Sequence, residues 1–358
     1  MALRPNMNQA RNGFRIVAMV VMAIMAVLTS SVVATKALAV DRAVEIRMVT
    51  LAPMGTSPHV ELLKMGERWQ KVSGGRVKLN IIAGYRAGGE AAMVDKMRVG
   101  GVDAALMTLV GVSKVDPAVN ALSNIPMVFR SLSEVDYMQE ALGEELAHRL
   151  AQKGYVVLFW TDIGWCRYFS VEPVIHPHDL KKMKVFVSAG NPEQVEIMKD
   201  WGTTPVSLEP SDIFPSLSTG MIGVVLATPF SANAGQYASV AKHMVEINWA
   251  PLVGGVIVRK AAWDKVPPDC RQELLNIAAD AGRTIKASGR KESDEAVEAM
   301  KRKQGLKVHV PPPQVNEEWR EVARSAYPKI RGTMVPADTF DKTESLLKEY
   351  RIKYSATN

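Results

Sequence analysis

Only two cysteines, Cys166 and Cys270, occur in 358 residues. That scarcity excludes a disulfide-built scaffold and any cysteine-rich metal module. An oxidising compartment would permit the two to bridge, but spacing alone does not say whether they pair or stay free. Patterns of the G-x-S-x-G, H-E-x-x-H, P-loop and C-x-x-C kind are missing, which removes the motif-based routes to hydrolase, zinc-protease, nucleotide and thiol-redox chemistry. Carboxylates such as Glu90, Asp103 and Asp162 are scattered, with no local pair. "HPHD" (176–179) has two histidines around a proline, yet no further ligand at metal-binding spacing, so it reads as a surface turn. Cys166 would act as a nucleophile only with a histidine folded beside it, and the sequence locates none. The weight falls on binding rather than chemistry, with no catalytic residue, metal or cofactor expected.

The N-terminus carries the strongest compositional signal. "MALRPNMNQARNGFR" has three arginines and no acid, "IVAMVVMAIMAVL" (16–28) is an apolar run, and small and polar residues follow to Ala37-Leu38-Ala39. That order predicts a cleavable signal peptide over 1–39, hence export to the periplasm, rather than an uncleaved membrane anchor. Of 44 basic residues four lie in it, leaving 40 against 37 acidic ones. A surplus of three gives no electrostatic footprint for nucleic acid.

Beyond the leader, strand-like and helix-like segments alternate. "VEIRMVTLAP", "RVKLNIIAG" and "VDAALMTLV" read as strands separated by helical patterns at 57–75 and 88–101. A second block repeats the rhythm with strands at 154–162, 164–173, 183–188, 203–210 and 222–229, and a helix at 191–202. Two α/β blocks of like architecture predict two lobes with a cleft between them, where ligands bind at the carboxyl ends of strands. The lobes are expected at 40–162 plus about 253–290, and 163–252 plus about 291–358. From Pro268 to Gly305 the pattern is one long helix interrupted at Gly282 and Gly289, with mixed charges that mark a solvated face. Two amphipathic helices close the chain.

"GWCRYFS" (164–170) sets one arginine among aromatic rings. Strand alternation would put Trp165, Arg167 and Phe169 on one face and Cys166, Tyr168 and Ser170 on the other. Arg167 is then either a surface cation stacked on its neighbours or an anchor for the acidic or polar group of a ligand.

In segment order and spacing the chain resembles the extracytoplasmic solute receptors of TRAP transporters, of the dicarboxylate-receptor type. The similarity spans nearly all of 44–350 and includes "SGGRVKLNIIAG", "GGEAAMVDKMRVGGVDAALM", "GWCRYFSVEPVIHPHDLKKMKV" and "WGTTPVSLEPSDIFPSLSTGMIGVVLATP". The resemblance implies an α/β, two-lobe periplasmic binding protein of type II-like architecture. Mixed sheets, hinge strands and a long helix spanning both lobes belong to it. It also implies a non-enzymatic role: capturing an organic ligand and handing it to membrane permease subunits. An exported enzyme or a ligand-sensing module on the same scaffold stands as the alternative.

Departures from the family bear on the ligand. Phe186 stands where most members have an arginine that grips a carboxylate, and Thr228 stands at an asparagine position after apolar "VVLA". A guanidinium fork cannot be replaced by a phenyl ring. A largely apolar, monoanionic ligand is therefore expected, with Arg167 as its foothold and Trp165, Phe169 and Trp249 as walls. The competing reading has Phe186 packing in the core. Pro53, Thr108 and Glu90 are carried over from the resemblance as cleft residues.

Overall fold

The structure is a computed structural model that describes residues 43–84 and 88–355. The segment read as a signal peptide lies outside the described residues. From Val44 onward the chain forms one compact unit.

Its strands are β1 (Val44–Thr50), β2 (Val77–Ala83), β3 (Ala104–Thr108), β4 (Tyr155–Ser170), β5 (Lys184–Ser188), β6 (Thr204–Leu208), β7 (Val224–Ala227), β8 (His243–Arg259) and β9 (Lys307–His309). The α-helices are α1 (Ser57–Val72), α2 (Glu90–Arg98), α3 (Leu109–Val112), α4 (Leu132–Gln152), α5 (Pro192–Asp200), α6 (Ile213–Ser218), α7 (Pro229–Ala234), α8 (Lys260–Trp263), α9 (Pro268–Gln304), α10 (Pro313–Ser325), α11 (Tyr327–Thr333) and α12 (Ala337–Ser355).

The strands make one sheet in the order β2-β1-β3-β8-β4-β7-β5-β6, with β9 added to β8. The β1–β2, β1–β3, β5–β6 and β5–β7 pairs are parallel, as βαβ units require, whereas β4 and β8 run antiparallel to each other, β4 to β7 and β8 to β3; β9 joins β8 in parallel. β3 pairs with the C-terminal half of β8, and β7 with the C-terminal half of β4. These two long strands therefore pass through both halves of the molecule. The sequence expectation of two strands at 154–162 and 164–173 is corrected to one strand. Its continuity is interrupted by register shifts at Val157/Phe159, Asp162/Trp165 and Cys166/Tyr168. Gly164 sits in the second shift with φ +89°, a conformation that glycine adopts at little cost.

The long helix is not broken at Gly282 and Gly289. Cβ atoms there would come within 2.7 Å of Phe159 and 2.4 Å of Ile163. These glycines let α9 lie directly on β4. At about 1.5 Å per residue its 37 residues reach about 55 Å. Its first half packs Leu274, Ile277 and Ala281 with Met48, Leu62 and Trp69, and its last turns pack Ala296 and Met300 with Phe169, Ile213 and Tyr237. One helix thus serves the cores of both halves.

The helix α4, outside the segments assigned from sequence, packs Val135, Leu142 and Leu146 in one core with Val49, Ala105 and Ile257. Met334, Phe340 and Leu347 join that core. The C-terminal helix therefore shares a core with residues of β1, β3, β8 and α4. Among the described residues no helix is long and apolar enough to cross a membrane.

Candidate functional site

A cavity of about 550 Å³ opens where the carboxyl ends of β1, β3, β5 and β7 face the crossing segments of β4 and β8. That size suits one small organic molecule. Leu51, Leu106, Phe186, Phe214, Leu226 and Phe230 give it a mostly apolar wall.

Of the residues expected from sequence, Pro53, Glu90, Thr108, Phe186 and Thr228 line the cavity. Phe186 also packs against the core around Phe169, so the two readings offered for it coexist. Trp165, Arg167, Phe169 and Trp249 do not line it. Phe169 is fully buried beside Ile213 and Val225, and Trp165 packs on the core beneath β3 and α4. Trp249 belongs to a ring cluster with Tyr168, Trp201 and Trp319, and borders a smaller hollow of about 60 Å³ that adjoins the cavity at Asn124, Gln194 and Leu226. The Arg167 guanidinium meets Glu246 on β8 at 3.3 Å. The register shifts in β4 account for where Trp165, Arg167 and Phe169 lie, because each resets which residues face which side. Thr161, Asp162, Ile163 and Cys166 are the β4 residues that reach the cavity.

Among the described lining residues there is no lysine or arginine. The acidic ones are Glu90 and Asp162, and both are buried. Asp162 takes bonds from Arg290 at 2.7 and 2.8 Å and from Gln139 at 3.2 Å. Arg290 also holds Asp136 at 2.8 Å, which Lys286 shares at 2.9 Å. This network ties α9 and α4 to the point where β4 crosses between halves. Burial raises the Asp136 pKa, but Arg290 and Lys286 outweigh it and hold the carboxyl below its ordinary range.

Glu90 opens α2, and both of its oxygens accept from Thr108, at 2.5 Å from the backbone N–H and 2.9 Å from the hydroxyl. Burial nevertheless pushes its pKa up to about 7, and the nearby charge of Glu209 adds to the rise. Glu209, after β6, is itself raised by burial and then by Asp212. Its carboxylate lies over Gly89, where a Cβ would meet an oxygen at 1.8 Å. Lys114 donates to the carbonyl of Gly190 nearby. These contacts bring the turns after β5 and β6 against the elements that follow β2 and β3.

Thr108 and Thr228 cap α3 and α7, accepting from Val110 and Ser231 at 3.2 Å each. Sequence reasoning missed Asn124 and Gln194. Asn124 donates to Asn120 at 2.6 Å, and the Gln194 oxygen accepts from Asn191 at 3.1 Å. Among the described residues that leaves Asn124 Oδ1 and Gln194 Nε2 uncommitted beside the cavity. A signal for Gln194 existed: "NPEQ" starts a helix just after a parallel strand, at the end where α/β proteins bind ligands. Asn124 follows a 3-10 turn that periodicity does not reveal.

Cys166 reaches the cavity, but burial pushes its thiol up to about 12, so it stays protonated and a poor nucleophile. Both cysteines are free, and neither His176 nor His178 lines the cavity.

The family model for bacterial extracellular solute-binding proteins, family 7, matches residues 48–332. The 2,3-diketo-L-gulonate-binding periplasmic protein of Escherichia coli K12 is 24% identical over 254 residues, covering 68% of this chain and 75% of its own. A TRAP periplasmic solute-binding protein of Pseudomonas putida F1, solved with D-glucuronate, superposes with a TM-score of 0.76 at 23% identity, covering 84% and 96% of the two chains. One from Ralstonia eutropha H16, solved with (S)-2-acetolactate, gives 0.78 at 21% identity, covering 85% and 99%. The sheet crossed by two long strands, the helix spanning both halves and the cavity between strand ends are the architecture of a non-enzymatic transport receptor. The chain belongs to the bacterial extracellular solute-binding proteins of family 7, the periplasmic receptors of TRAP transporters.

Proposed function

We propose that this receptor captures an organic molecule with a bulky apolar body and at most one acidic group. The observation that carries this reading is the cavity wall: phenyl rings and aliphatic side chains, with no cation among the described lining residues. Each 100 Å² of apolar ligand surface buried contributes about 2.5 kcal/mol. A second carboxylate, brought in without a cation, would cost several kcal/mol of lost hydration. The relatives named above bind hydroxylated or keto acids, so an acidic head remains compatible with the family.

The polar foothold moves from Arg167 to Glu90, Asn124 and Gln194. At neutral pH Glu90 lies near its midpoint, so it can donate a proton to a ligand carboxylate or carbonyl. Gln194 Nε2 supplies a second donor and Asn124 Oδ1 an acceptor. Pro53, Thr108, Phe186 and Thr228 complete the wall in this reading.

The basic, apolar and small-residue order of 1–39 supports export by a signal peptide, and family membership supports delivery to TRAP membrane permease subunits. The lobes divide near 162/163 on β4 and 252/253 on β8, with α9 crossing at about 290. Packing supports one revision: α12 goes with the first lobe. Hinge motion about β4 and β8 would then open the cavity.

Mass spectrometry of small molecules released from purified protein tests the ligand class. The expected finding is a compound with an extended hydrocarbon or aromatic body and no more than one carboxylate. A short dicarboxylate would refute it.

A further inference from the structure

The turn "HPHD" (176–179) stands outside the ligand cavity, and the fold supplies what the sequence lacked: a third ligand from far along the chain. Glu318 on α10 comes to His176, with 2.7 Å between its Oε2 and the imidazole Nδ1. One ligand atom from each of His176, His178 and Glu318 lies within 4.8 Å of the others. We propose that these three side chains form a binding site for a divalent transition-metal ion of the zinc type.

Two imidazoles and a carboxylate are a preferred donor set for zinc, with bonds of about 2.0–2.2 Å. In a tetrahedron with such bonds the ligand atoms stand about 3.4 Å apart. Small side-chain rotations bring the three donors to that spacing. The two imidazoles stand 5.1 Å between centroids with 28° between planes, and turning the exposed His178 ring about its side-chain torsions brings its in-plane lone pair toward the ion that His176 and Glu318 would share. Water completes the shell, because His178 is exposed while His176 and Glu318 are half-buried.

The ligands are held by rigid pieces. Pro177 fixes the backbone between the histidines. Asp179 accepts from the N–H groups of Ile175 and His176 at 3.1 and 2.9 Å and from Lys182 at 2.6 Å. Asp179 is thereby committed to shaping the turn and stands 3.6 Å from His178 as an outer partner. On the other side Trp319, the residue after Glu318, is fully buried and donates to the carbonyl of Ile175 at 2.8 Å. One hydrogen bond thus pins α10 to the residue preceding His176. Metal binding would replace the direct His176–Glu318 contact with two metal–ligand bonds and cross-link the turn before β5 to α10.

Calorimetric titration of tag-free, chelator-stripped protein with zinc chloride at pH 7.5 is the test. The expected result is one saturable site per chain, weakened about tenfold or more in each of His176→Ala, His178→Ala and Glu318→Gln. Zinc should raise the melting temperature of the wild type and not that of Glu318→Gln. With cobalt in place of zinc, the wild type should show the intense visible band of a four- or five-coordinate ion. Failure to saturate, full affinity in Glu318→Gln or in the double histidine variant, or the faint band of a six-coordinate ion would each overturn the site.

Discussion

Arg167 meets Glu246 across the β4–β8 pair at 3.3 Å, and it is not among the described residues that line the cavity. The side chain is mostly buried, and its Nε has no hydrogen-bond partner. We propose that Arg167 acts as a structural cation. Replacing it with alanine should lower stability by about 1 kcal/mol, as loss of a partly exposed pair does. Ligand affinity should change less than about threefold, since a 1.4 kcal/mol effect is needed for a factor of ten. Calorimetric titration of the variant with its co-purified ligand checks this, and a hundredfold loss would restore Arg167 to the site.

Glu90 makes stability depend on pH in a defined direction. Its carboxyl rises from an ordinary 4.5 to about 7 on folding, so the native state holds the proton more tightly than the unfolded chain. The stability this contributes is complete below about pH 4.5 and is lost as pH climbs through about 7. Glu90→Gln should remove that part of the slope, roughly 2–4 kcal/mol across the window. A glutamine can keep the Thr108 N–H bond, and the Thr108 hydroxyl can reverse to accept. Urea unfolding of both proteins from pH 4.5 to 8 reads the difference; identical slopes would show that Glu90 does not titrate there.

Cys166 and Cys270 are buried and unpaired. Folded protein at pH 7.5 should react with a thiol reagent far more slowly than free cysteine, and release two equivalents only after denaturation. Prompt labelling of Cys166 in the native state would contradict the burial that holds its thiol up at about 12.

The ion network at the strand crossing should be costly to break. Arg290→Met leaves the buried Asp162 with Gln139, the Gly164 N–H at 3.2 Å and, at 4.0 Å, Lys286. Removing one partner from such a pair costs about 3 kcal/mol or more. Asp162→Asn with Arg290→Met should recover part of the loss, because no buried charge is then left alone. Thermal unfolding of the single and double variants measures this; a double variant no better than Arg290→Met would place the cost elsewhere.

Sequence patterns reveal local periodicity and miss what bulges do to it. The helices at 57–72 and 192–200 and the parallel strands carry period and capping signals, and α9 announces itself by length. Pro53, Thr108 and Thr228 reach the cavity because strand ends converge there in this topology. The face of β4 was illegible. Alternation puts Trp165, Arg167 and Phe169 together, but shifts on either side of Trp165 and Cys166 send them elsewhere. Gly282 and Gly289 look like helix interruptions until β4 is seen lying against them. The partner of the histidine turn comes from 142 residues away, a separation no local motif encodes.

The preference for apolar cargo is tested most directly by titrating the ligand-free receptor with an arylalkanoic monoacid and with a short dicarboxylate at pH 6 and pH 8. The monoacid should bind more tightly than the dicarboxylate at both values, and more tightly at pH 6, where Glu90 is protonated and can donate. Tighter binding of the dicarboxylate at both pH values would mean that a cation holds it, and would contradict the account.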